Sequence, residues 1–306
     1  MGTPEFAVPS LTKLVAADFS PVAVVTGPDR PRGRGRRIAQ TPVKQQAKRL
    51  GVSDILQPES VGDPAFVQRM LELRPDVIVV VAFRILPVAV FGSARIGAFN
   101  LHASLLPRWR GAAPIHRAIM AGDSQTGVTT FFLRKKVDTG SIILRWPLSI
   151  GPNETYGELH DRLSELGSEV VLETVRRLAA GPVETIDQDD TLATAAPKIF
   201  RSDCRIPWHK SAAAVHNHCR GLSPHPGAWT RHNETTLKIQ LTRPVHAAGA
   251  PGEILVADGK LTVACGRGAV EIQSLQQEGR RQLSVADFLR GYELRKGEQL
   301  HAAETL

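Results

Sequence analysis

Five consecutive β-branched residues, Val77-Ile78-Val79-Val80-Val81, decide the architecture. β-branching disfavours a helix, and a strand built from these residues is apolar on both faces. Such a strand is stable only where helices cover its sheet on each side, as in a parallel α/β layer. The surroundings agree with this. Residues 4–17, 42–50 and 63–73 have helical spacing of apolar positions, and residues 21–26, 54–57, 96–101, 126–133 and 142–148 read as strands. A capping box, Thr155-x-x-Glu158, starts a long helix expected to run to Leu178, before Gly181-Pro182.

A chain of 306 residues with 42% hydrophobic content suits two packed domains. No apolar run approaches the ~20 residues of a membrane span, and the amino terminus resembles neither a signal peptide nor an Arg-rich leader. Membrane-spanning and secreted classes are thereby excluded, and a cytoplasmic location is expected. Cys204, Cys219 and Cys265 are odd in number and far apart, which fits neither a disulfide framework nor a zinc site. The net charge of +8 is split evenly, with 24 basic and 20 acidic residues in 1–200 and 14 and 10 in 201–306. An even split favours an anionic partner that touches both halves, nucleic acid above all. The sharpest local cluster is Arg30-Pro31-Arg32-Gly33-Arg34-Gly35-Arg36-Arg37. Five arginines among Gly and Pro predict an exposed loop whose mutual repulsion is relieved by phosphates.

Residues 183–201 are polar and mixed, so the expected division is 1–182, a linker at 183–201, and 202–306. In the last part, a helix at 211–220 and a Pro-rich turn at 221–229 precede strands at 235–241, 252–256, 261–265 and 269–275. Short strands at regular spacing predict a small barrel.

The chemistry concentrates where the strand at 96–101 ends. Asn100 and His102 are two apart and so share one face of that strand, at the carboxyl end where open α/β sheets place their sites. They open the run Asn100-Leu101-His102-Ala103-Ser104-Leu105-Leu106-Pro107-Arg108-Trp109-Arg110-Gly111-Ala112-Ala113-Pro114. This run resembles the Asn-x-His-x-Ser-Leu-Leu-Pro signature of the folate-dependent formyltransferases. Its Arg-Trp-Arg-Gly-Ala-Ala-Pro continuation resembles the branch that formylates methionyl-initiator tRNA, and the resemblance extends over essentially the whole chain.

The resemblance implies a Rossmann-like α/β formyltransferase domain with a mostly parallel sheet, followed by an OB-like β-barrel that binds tRNA. It implies transfer of the formyl group of 10-formyltetrahydrofolate to the α-amine of methionyl-initiator tRNA by a monomer. Asn100, His102 and Asp138 then form the catalytic set, Asp138 being the aspartate of the family's Asp-x-Gly turn at Asp138-Thr139-Gly140. Read without the resemblance, Asp138 is an ordinary turn residue, and Gly140 is expected to supply a positive φ. The folate contacts fall on Phe83, Ile85 and Leu86 and on Ser104, Leu105, Leu106 and Pro107. The tRNA contacts fall on Arg30, Arg32, Arg34, Arg36 and Arg37. No histidine pair has metal spacing beside an acid, so no metal is expected.

Two rival acceptors remain for the same core, glycinamide ribonucleotide and water, but neither accounts for an arginine loop and a barrel. A tRNA-binding module with an inactive core is a third reading, opposed by the intact Asn100, His102 and Asp138. One departure stands at the start. Met1-Gly2-Thr3-Pro4 resembles the turn that follows the family's first strand, yet no strand precedes it. The natural chain is therefore expected to begin upstream, and the sheet to show a gap beside the Asn100 strand.

Overall fold

The structure is a computed structural model describing residues 1–32 and 37–301. It packs as two units. The first comprises Met1–Gly111, Thr126–Leu148 and His160–Ala196, and the second Ala112–Gln125, Ser149–Leu159 and the chain from Pro197 onward.

In chain order the elements leading to the site are α1 (Val8–Ala16), β1 (Val24–Val25), β2 (Arg30–Arg32), β3 (Arg37–Ala39), α2 (Pro42–Arg49), β4 (Ile55–Leu56), α3 (Pro64–Leu73), β5 (Val77–Val81), α4 (Val88–Phe91) and β6 (Gly97–His102). Then follow α5 (Pro114–Ala121), β7 (Gln125–Phe132), β8 (Ile142–Ser149) and α6 (Tyr156–Ala180). Several helices begin as their sequences dictate. Thr41 accepts from Lys44 N–H ahead of α2, Asp63 accepts from Ala65 N–H ahead of α3, and each helix has proline in its first turn, where no N–H is needed. At α6, Thr155 N–H donates to Glu158 Oε2 at 2.8 Å and Glu158 N–H donates back to Thr155 Oγ1 at 3.3 Å, closing the capping box.

In the first unit, β5 runs parallel to β6, β6 antiparallel to β7, and β8 completes a four-stranded mixed sheet in the order β5-β6-β7-β8. A separate pair joins β1 to β4 in parallel. Ile78 and Val80 of β5 pack with Val25, Phe66, Met70 and Val90, so helices α3 and α4 cover that face.

The gap expected beside the Asn100 strand lies one strand over. The Asn100 strand is β6, which has neighbours on both sides, because its parallel partner is β5. Residues 1–2 lie between β1 and β5. Gly2 N–H donates to Val25 O at 3.0 Å, Val81 N–H donates to Met1 O at 2.9 Å, and Gly2 forms a single parallel bridge with Val81. The Met1 amino group donates to Val79 O at 2.6 Å. Burial pushes the amine from an ordinary 8.0 down to about 5. Beyond Met1 the slot continues as a cleft of about 140 Å³, lined by Leu11, Leu14, Val24, Met70, Val77 and Val79 among others. Ser10 also lines it, and its buried Oγ has no hydrogen-bond partner among the described residues.

The arginine segment differs from expectation as well. Its flanks, Arg30–Arg32 and Arg37–Ala39, pair as a two-stranded antiparallel ribbon, with Arg30 paired to Ala39, Pro31 to Ile38 and Arg32 to Arg37, and residues 33–36 lie outside the described residues. The ribbon's root is fixed by a network at the ends of β1 and β4. Lys44 Nζ pairs with Asp29 at 2.6 Å, and Gln57 Nε2 donates to Asp29 at 2.8 Å and to Gly27 O at 2.7 Å. The Lys44 hydrogen bond holds the Asp29 carboxyl below the usual carboxylate range.

The second unit contains α5, α7 (Ala212–Leu222), β9 (Ala228–His232), β10 (Thr235–Val245), β11 (Ile254–Ala257), β12 (Leu261–Ala264), β13 (Ala269–Gln277), β14 (Gln282–Ser284) and α8 (Val285–Leu289). The strands form one antiparallel sheet in the order β11-β12-β13-β10-β9, with β14 added to β13. Among the described residues the sheet is not a closed barrel. β11 and β9 are not paired, and both margins are instead met by the same late segment, through bridges of Gln299 with Glu253 and of His301 with Arg231. The core is Ile206, Trp208, Leu222, Leu237, Ile239 and their neighbours. His116 stacks on Tyr156 at 3.7 Å between ring centroids. Among the described residues no helix is long and apolar enough to cross a membrane.

Candidate active site

The parallel pairing of β5 and β6 brings the loop after β5 beside the end of β6, with Val80 opposite Asn100 and Val81 opposite Leu101. From the other side, β6 pairs with β7 so that Asn100 faces Phe131 and His102 faces Thr129. The turn between β7 and β8 carries Asp138. Three segments distant in sequence therefore meet at one sheet end, all within the first unit.

There they enclose a cavity of about 110 Å³. Phe83, Ile85, Leu86 and Phe91 form an apolar wall, and Asn100 and Asp138 supply polar groups. The Asn100 side chain makes no hydrogen bond among the described residues, so its amide remains available to a ligand. His102 is 6% exposed. Its Nε2 lies 2.7 Å from Trp109 O, and its Nδ1 lies 4.0 Å from Asp138 Oδ2. A backbone carbonyl only accepts, so Nε2 carries the hydrogen and the opposite nitrogen is the one turned to the carboxylate.

Asp138 has φ 55°, a left-handed conformation that aspartate tolerates better than most residues. Its Oδ2 accepts from Gly111 N–H at 2.9 Å. The positive φ thus falls on Asp138 and not on Gly140, as its turn had suggested. Gly140 is required for a different reason, since a Cβ there would come within 1.6 Å of Phe132 O.

The other expected site residues divide. Phe83, Ile85 and Leu86 line the cavity with Asn100 and Asp138. Ser104, Leu105, Leu106 and Pro107 do not line it and instead form a packed turn beneath the end of β6. Ser104 Oγ donates to Arg108 O at 2.6 Å, Thr129 Oγ1 donates to Ser104 O at 2.6 Å, and Leu106 is fully buried with Phe131 and Ile142. Arg30 is exposed and within 3.5 Å of Glu59. Arg32 and Arg37 pair through their backbones in the ribbon, while Arg34 and Arg36 lie outside the described residues.

Sequence reasoning missed the segment behind the site. Residues 186–196, expected within a linker, bond repeatedly to the site's loops. Ile186 bridges Ile142, Gln188 reaches the Asp138 turn, and Arg110 N–H donates to Thr194 O at 2.8 Å. Arg110 also pairs with Asp190 at 2.7 Å, and that hydrogen bond holds the Asp190 carboxyl below its usual range. A polar, loop-like sequence carries no periodicity from which such bonds are read. The only local signal was the density of acids at Asp187, Asp189 and Asp190 opposite the arginines of the motif.

Residues 1–175 match the Formyl transferase family, and residues 198–293 match Formyl transferase, C-terminal domain. A methionyl-tRNA formyltransferase of Chlorobium luteolum is 51% identical over 301 residues, covering 95% of each chain. One of Chlorobium phaeovibrioides is 48% identical over 97% of this chain and 95% of its own. Among solved structures, an N-formyltransferase from Helicobacter canadensis, crystallised with folinic acid and dTDP-3-aminofucose, superposes with a TM-score of 0.68 at 19% identity, covering 89% of this chain and 96% of its own. That likeness is one of fold. The near-complete coverage by relatives sharing about half of its residues shows that the chain belongs to the methionyl-tRNA formyltransferase family.

Proposed function

We propose that the chain transfers the formyl group of 10-formyltetrahydrofolate to the α-amine of methionine on initiator tRNA, giving N-formylmethionyl-tRNA. The observation that carries the reading is the cavity in which the Asn100 amide and the Asp138 carboxylate meet an apolar wall of Phe83, Ile85, Leu86 and Phe91. The wall suits the flat ring of a folate. The two polar groups suit a formyl oxygen and an attacking amine. The relatives' shared name supplies the acceptor, methionyl-tRNA.

The donor supplies the formyl carbon, which exchanges its bond to a folate nitrogen for a bond to the amine nitrogen. One proton passes from the amine to the folate nitrogen. Asn100 donates an N–H to the formyl oxygen, where negative charge grows during attack, and a donor of this kind is worth roughly 3 kcal/mol. With its Nε2–H held by the Trp109 carbonyl, His102 acts through Nδ1. A proton taken up there makes an imidazolium that faces Asp138 and serves as a second donor to the formyl oxygen. Asp138 stabilises that cation and helps to move the amine proton. Phe83, Ile85 and Leu86 are assigned to the folate, with Ser104, Leu105, Leu106 and Pro107 as the turn that frames it. Arg30, Arg32, Arg34, Arg36 and Arg37 are assigned to the tRNA backbone, because five arginines so close in sequence gain most from phosphate.

The test is transfer from 10-formyltetrahydrofolate to methionyl-initiator tRNA by the purified chain, with glycinamide ribonucleotide as alternative acceptor and formate release as the measure of hydrolysis. Formyl on the tRNA-bound methionine is expected. Formylation of the ribonucleotide, or formate release alone, would overturn the reading.

A further inference from the structure

We infer that Gln188, oriented by Arg110, is a positioning residue for Asp138. The inference rests on the catalytic part given to Asp138 above. Gln188 Nε2 donates to Asp138 O at 2.9 Å and to Gly140 O at 2.8 Å. Its Oε1 accepts from Arg110 Nε at 3.0 Å and from Arg110 Nη2 at 2.8 Å. Both amide hydrogens and both lone pairs of the oxygen are therefore used. This satisfaction fixes the amide's orientation. The reversed amide would set its oxygen against two carbonyls and its NH₂ against a guanidinium, with no hydrogen bond on either side.

The strut matters because of what it holds. The two carbonyls that it ties are Asp138's own and that of Gly140 two residues on, and Asp138 lies in the left-handed region, a conformation that persists only where its surroundings over-determine it. Arg110 is anchored in turn, by its backbone to Thr194 and Ala196 and by its guanidinium to Asp190. Its next residue, Gly111, supplies the N–H on Asp138 Oδ2. One arginine thus fixes the carboxylate directly through the chain and the turn beneath it through Gln188. Without the strut the turn relaxes, and Asp138 Oδ2 leaves its place between Gly111 N–H and His102 Nδ1. A displacement of about 1 Å at such a group costs on the order of 100-fold in rate.

The experiment is a double-mutant cycle on the full chain, reading kcat and KM for formyl transfer. Gln188→Leu removes both donors, and Gln188→Glu keeps the shape while setting an oxygen against the two carbonyls. Each is expected to lower kcat roughly 10- to 100-fold while KM for methionyl-tRNA and for the donor stays within about twofold. In an Asp138→Asn background the same substitutions are expected to add less than about twofold, because Gln188 acts through the carboxylate. Arg110→Lys, which loses the planar fork, should fall between wild type and Gln188→Leu. Full additivity with Asp138→Asn, a change confined to KM, or unchanged kcat in the Gln188 variant that folds would overturn the inference. Wild-type turnover on methionyl-tRNA scores the functional reading separately.

Discussion

At the scale of single residues, the site is an arrangement of donors around a point where charge develops. Asn100→Ala, His102→Ala and Asp138→Asn are each expected to lower kcat by about 10²- to 10³-fold while shifting the Kd for methionyl-tRNA less than about threefold, since their contributions arise in the transition state. Single-turnover rates beside equilibrium binding decide this, and equal shifts in both quantities would remove these residues from the chemistry. In the sequence, a period of two places Asn100 and His102 on one strand face, but their part in a site, and that of Asp138, came from the resemblance of their motifs, since alone they read as strand-end and turn residues. Gln188 stayed hidden, since a glutamine among polar residues says nothing about two carbonyls fifty positions away. Gly140 shows how a correct residue can carry the wrong reason. Its turn suggested a backbone angle, whereas the close approach of Phe132 O is what forbids a side chain.

At the scale of elements, hydrophobic pattern located most helices and strands that have a buried face, but not α4, β9 or α8, each of only four or five residues. It failed for the arginine ribbon, β2 and β3, whose pairing rests on backbone bonds between residues with no apolar alternation. The same composition explains what the ribbon is suited to do. Arg34→Ala with Arg36→Ala is expected to weaken tRNA binding and to flatten its dependence on log salt by about 1.5, from two lost phosphate contacts. Binding measured from 50 to 300 mM salt tests this, and an unchanged slope would show that these arginines touch no phosphate. The C-terminal strands were legible as strands, but their closure was not. Short even spacing suits an open antiparallel sheet as well as a barrel, and the bridges of Gln299 and His301 to the two margins involve residues with no strand pattern.

At the scale of the whole molecule, each unit buries a base that must remain neutral. In the first, the Met1 amine falls from 8.0 to about 5 by burial, and in the second the His218 imidazole falls from 6.5 to about 4 for the same reason. Between the unfolded and folded values the unfolded chain holds the extra proton, so stability rises with pH across each window. The Met1 contribution is complete above pH 8 and is lost as pH falls towards 5, on the order of 4 kcal/mol in total. The His218 contribution is complete above about pH 6.5 and is lost towards pH 4. Urea midpoints followed by the fluorescence of Trp208 and Trp229, both in the second unit's core, should fall between pH 6.5 and 4.5, and a flat profile there would refute the His218 term. The cleft beyond Met1 has a mechanical consequence too. The cleft of about 140 Å³ is lined mainly by apolar side chains that pack loosely across it, and since pressure acts on volume that unfolding eliminates, on the order of 20 to 100 mL/mol for proteins generally, the position between β1 and β5 is a compressible joint. Under hydrostatic pressure of a few kilobar, the amide resonances of Val24, Val25, Val77 and Val79 are expected to shift nonlinearly before those of Phe99 and Phe131, and dissolved xenon should perturb that first group alone.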